Sequence, residues 1–66
     1  MSGGGGGIII IRNAIKQALS DPLVHGSLSA SDQAAIDPIL AKDVNDWTEA
    51  EHDKAVKIFT WAAHHC

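Results

Sequence analysis

The stretch IIIIRNAIKQALSDP, residues 8–22, decides the fold. Its four opening isoleucines are β-branched and locally favour extended backbone. Its spacing favours a helix. Ile8, Ile11, Ile15 and Leu19 recur every three or four residues on one face, with Ala14 and Ala18 beside them. Arg12, Asn13, Lys16, Gln17 and Ser20 take the other side. A strand at 8–11 would need a partner strand, and only a second copy of the chain offers one. A helix reaching Ser20 is expected, with Ile8–Ile11 either its first turn or an extended segment. Asp21-Pro22 ends it, because the residue before a proline avoids the α region.

Upstream lies MSGGGGG, residues 1–7. Glycine loses more conformational freedom on ordering than any other residue, so this segment reads as a flexible tail outside the fold. Downstream, LVHGSLSAS (23–31) reads as a connection with Leu23, Val24 and Leu28 as apolar plugs. Ser29 followed by Asp32 resembles a capping box and starts a second helix, whose apolar points are Ile36, Ile39 and Leu40. Pro38 would meet the carbonyl of Ala34, so a kink or break is expected there, with Asp37 capping a new turn. KDVND (42–46) reads as a loop. Thr48 and Glu51 then form a T-x-x-E capping box that opens a third helix. Its expected inward stripe is His52, Ala55, Val56, Phe59, Ala62 and Ala63, reaching Cys66. Glu49, Glu51 and Asp53 at its start suit the helix dipole. The expected architecture is all-α: one domain over 8–66, a small three-helix bundle or an irregular helical fold.

The chain has 66 residues, 45% of them hydrophobic and 20% charged, with a net charge of −3. A domain of this size buries only about 60% of the surface its unfolded chain exposes, so its core is marginal. One cysteine cannot form an internal disulfide, which leaves good helix packing, a metal or a partner to supply stability. The five basic residues form no cluster, which argues against nucleic acid. No apolar run is long enough for a secretory or membrane-spanning segment, and a reduced, cytoplasmic setting is expected. No nucleophile elbow or phosphate loop is present, so the chain is not expected to be an enzyme, and no cofactor is implied.

The C-terminal FTWAAHHC, residues 59–66, holds the metal candidates His64 and Cys66. Residues two apart on a helix point about 200° from each other, so these two chelate one ion only from a frayed end or across a dimer. Glu49 and His52 have the i, i+3 spacing of di-iron bundles, but the chain lacks the further carboxylates. The run from Asp43 to Lys54 fails as a calcium loop, with Thr48 in place of the glycine and Lys54 in place of the final glutamate.

The tryptophans say more. Trp47 precedes the Thr48 cap, where a residue packs back onto its helix as core. Trp61 falls on a polar face beside Lys54, Lys57 and His64. There it either covers Lys57 as a cation–π contact or anchors another protein. The apolar arc of the first helix is also wider than one neighbour requires. These features lead to a non-enzymatic helical module for protein–protein interaction or self-association, with Ile8, Ile11, Ile15, Leu19 and Trp61 at the contacts. The alternatives are a metal-dependent fold using His64 and Cys66, and a membrane-surface helix bordered by Arg12 and Lys16. An acidic total charge disfavours the last.

Overall fold

Helix α1 runs from Gly3 to Ser20 in a computed structural model that describes residues 3–65. It begins five residues before the Ile8 start expected from sequence, so Gly3–Gly7 take helical backbone. Once a helix exists, each added residue gains one hydrogen bond without needing a side-chain contact. At Gly7 the surroundings are open: a Cβ placed there would meet nothing within 4 Å.

Asp21-Pro22 ends α1 as expected and also starts something new. Asp21 is the N-cap of α2 (Pro22–Ser27), its Oδ1 accepting from the Leu23 backbone N–H at 2.9 Å. Proline suits the first helical position because its missing N–H would be unpaired there anyway. The segment read as a connection is thus a short helix with no buried residue, and Leu23 stands open to solvent. Gln33 closes its far end, donating from Nε2 to the carbonyls of His25 and Leu28 at 3.0 and 3.2 Å.

Helix α3 (Ala30–Leu40) starts on Ser29, whose Oγ accepts from the Asp32 N–H at 3.1 Å. It runs through Pro38 without the expected break. Ala34 and Pro38 both lie on its exposed face, so the carbonyl that loses its helical donor can turn to water. Asp37 therefore does not cap a new turn. Its carboxylate instead meets His25 Nε2 at 2.6 Å, joining α3 to α2.

A 3-10 turn, Val44–Asp46, replaces the expected loop and leads into α4 (Glu49–His65). The Thr48 capping box forms in both directions: Glu51 N–H to Thr48 Oγ1 at 3.1 Å, and Thr48 N–H to Glu51 Oε1 at 2.9 Å.

The core takes Ile15 and Leu19 from α1, Ile36 and Ile39 from α3, and Ala55, Ile58 and Ala62 from α4. Leu28, Val44 and Trp47 seal it from the connections. Leu19 and Ile36 are completely covered. Each such side chain contributes roughly 1.5–3 kcal/mol through removal from water. Trp47 is buried as expected, and its indole N–H donates to the Ile39 carbonyl at 2.9 Å.

Helix α4 is rotated relative to the expected stripe. Ile58, not among the expected inward residues, is 4% exposed; His52, Val56 and Phe59 are half-buried, and Ala63 faces solvent. The chain is an all-α fold of four α-helices among the described residues, with dimensions of 40 × 21 × 17 Å.

Candidate functional site

Two surfaces carry the residues singled out by sequence. The first is on α1. The face formed by Ile8, Ile11, Ile15 and Leu19 is divided along its length. Ile15 and Leu19 serve the chain's own core, while Ile8 is 47% exposed, Ile11 53% and the neighbouring Ile10 70%. Periodicity places all four on one stripe, but the rest of the fold reaches only its C-terminal half, with Ile9 packed at the margin. The exposed isoleucines stand on the segment of α1 that follows the glycines.

Polar contacts fix the other side of α1. Arg12 Nε donates to His52 Nδ1 at 3.0 Å, and Arg12 NH1 donates to the Val44 carbonyl at 3.0 Å. The same guanidinium lies 6.0 Å from the centre of the Trp47 ring. Lys16 Nζ donates to the Lys42 carbonyl at 2.9 Å. Lys42 in turn reaches Glu51 Oε1 at 2.8 Å. His52 thus spends Nδ1 on Arg12, and Glu49 is exposed, so their i, i+3 spacing builds no shared ligand pair. The hydrogen bonds of Arg12 and Lys16 were not legible from sequence, since they join residues 26 to 40 positions apart.

The second surface surrounds Trp61, which is 38% exposed. Its ring stacks on His65, with centroids 4.1 Å apart and planes 13° from parallel, and His65 Nδ1–H donates to the Trp61 carbonyl at 2.8 Å. An open groove of about 260 Å³ runs beside the indole, lined by Asp32 of α3 and by Lys54, Lys57, Ile58 and Trp61 of α4. The groove is built by α3 and α4 alone, so Trp61 and the α1 isoleucines form separate surfaces.

A wider hollow of about 510 Å³ is bordered by Asn13, Lys16, Gln17, Ser20 and Asp21. Its one cation, Lys16, is tied to the Lys42 carbonyl. Among the described residues no three His, Cys, Asp or Glu side chains gather as a metal site. His64 is exposed on α4, and Cys66 lies outside the described residues.

Two carboxyls are held below their ordinary values. Glu51 is lowered by the Lys42 ammonium and then by the Thr48 N–H. Asp43 is lowered by the Asn45 backbone and side-chain amides, which donate to its Oδ1 at 2.9 Å each. Both shifts belong to caps and turns, which makes them structural.

Comparison with protein-family models, with curated proteins and with solved structures finds no match to this chain.

Proposed function

We propose that the chain is a non-enzymatic helical module that associates with copies of itself. The observation that carries this reading is the exposure of Ile8, Ile10 and Ile11 together on one stretch of α1. Three large apolar side chains left open on so small a fold mark a contact surface. A marginal core also gives the chain something to gain, because mass action on a partner subunit adds stability. Trp61 is a second exposed large side chain of the kind that concentrates binding energy at interfaces.

Composition points the same way on other partners. Of the five cations, Arg12, Lys16 and Lys42 are engaged within the fold, which leaves little to hold a phosphate backbone. No described helix is long and apolar enough to cross a membrane. A reducing, cytoplasmic setting accords with the single cysteine.

Sedimentation velocity under reducing conditions tests the proposal. The chain should sediment as an oligomer that dissociates on dilution, and Ile8→Glu with Ile11→Glu should shift it to monomer while keeping its circular dichroism. A parent chain that stays monomeric at its highest soluble concentration overturns the reading.

A further inference from the structure

The chain's positive charges are distributed unevenly between structure and surface. Arg12 and Lys16 hold backbone carbonyls, and Lys42 holds Glu51. The two ion pairs among the described residues are His25–Asp37 and Lys42–Glu51, so Lys54 and Lys57 belong to neither. Both border the groove beside Trp61, with Ile58 on its wall. They are exposed, one helical turn apart, and Trp61 follows Lys57 by four residues. The groove therefore combines an indole surface, an aliphatic wall and two ammonium groups that the fold does not use, facing one acid, Asp32. Such a surface suits an acidic segment.

This acidic chain carries one. Asp46, Glu49 and Asp53 are all exposed, Glu49 and Asp53 lying one turn apart on the first part of α4. None of the three is in an ion pair among the described residues. α4 thus runs from acids at its beginning to lysines further on, with Asp53 one turn before Lys57, and a second copy in the opposite direction sets its acids against these lysines. Charge complementarity of this kind selects a partner and its orientation.

We infer that the Lys54–Lys57–Trp61 groove receives the acidic beginning of α4, Glu49 and Asp53, from a second copy of the chain. The inference rests on the self-association reading and adds a second contact to the one made by the α1 isoleucines. Trp61 supplies contact area at the edge of the groove, while the lysines set the register against the partner's carboxylates.

Charge reversal with mixing tests it. One variant carries K54E and K57E; the other carries E49K and D53K. In each variant alone, groove and acidic segment have the same sign, and the dissociation constant should rise by about tenfold or more. When the two variants are mixed, each groove again faces an opposite charge, and a hetero-oligomer near parental affinity should form. Circular dichroism of both variants confirms that they fold; should either fail to, the milder K57Q and D53N forms should each weaken association and leave the parent's salt dependence reduced. An oligomeric parent whose affinity neither reversal changes overturns this inference and leaves self-association standing on α1. A monomeric parent overturns both. Variants that weaken association singly but do not recover on mixing also overturn the paired contact, as does a groove that binds an acidic peptide in trans without any effect on self-association.

Discussion

Arg12 Nε donates to Nδ1 of His52 across 3.0 Å, joining the middle of α1 to the first turn of α4. The contact requires the Nδ1 atom of the imidazole to accept, which places the proton of the neutral ring on Nε2. The second arm of the same guanidinium reaches the Val44 carbonyl, so one side chain closes α1 against both the 3-10 turn and α4.

Arg12→Lys should destabilise the fold by about 1–2 kcal/mol, because a single ammonium cannot reproduce a planar fork with two separate acceptors. Urea denaturation followed by circular dichroism measures this. An unchanged midpoint would show that the fork adds nothing.

Acid should weaken the fold through Glu51 and Asp43. Both carboxyls are lowered in the folded state, from ordinary values of 4.5 and 3.8. A group lowered on folding stabilises the native state fully above its unfolded value, and the contribution fades as pH falls through the folded value. The loss should therefore begin below about pH 4.5 for Glu51 and below about 3.8 for Asp43. Glu51→Gln keeps an acceptor for the Thr48 N–H but cannot ionise, so its stability should vary less with pH in that window. Equal acid sensitivity of parent and variant would contradict this assignment.

The rotation of α4 gives opposite results at two positions. Ile58→Ala should cost about 2–5 kcal/mol, as expected for a buried isoleucine. Ala63→Gln should change stability by less than about 0.5 kcal/mol, since the side chain enters solvent. If α4 instead presented the face expected from sequence, glutamine at 63 would overpack the core. Thermal melts of the two variants separate these outcomes.

Gly7→Ala should raise helicity and stabilise α1 by up to about 1 kcal/mol. The new methyl meets open space, and Gly7 has no positive φ to oppose it. Far-ultraviolet circular dichroism reports the gain. No gain would mean that the helix does not extend through the glycines.

Much of the fold was legible because its signals are local. Ser29 and Thr48 each mark a helix start with a hydroxyl and a partner three residues on, and Asp21-Pro22 marks an end. The same dipeptide also opened α2, a helix too short and too exposed to show an apolar period. Pro38 misled for a related reason: a proline in a helix is tolerated where its face is wet, and wetness is set by packing rather than by neighbours in sequence. Ile58 fell outside the expected stripe because Phe59 offers a similar apolar signal one residue later; Ala55 and Ala62, at i−3 and i+4, were the clue to its register. On the candidate surfaces, sequence singled out Trp61 and the isoleucine face. It could not tell Ile11 from Ile15, which differ only in how far the rest of the chain extends beneath them.

The reach of the α1 contacts also orders assembly. Contacts between α2 and α3 span at most 12 residues, whereas Arg12 and Lys16 find their partners 26 to 40 positions later. Short loops close first because they sacrifice less chain freedom. The contacts of α2 with its neighbours α1 and α3 can therefore form before α1 closes on the 3-10 turn and α4. Until α4 docks, Leu19 and Ile36 lack the Ala55, Ile58 and Ala62 side chains that complete their core, so a chain with α4 undocked is the form most open to aggregation.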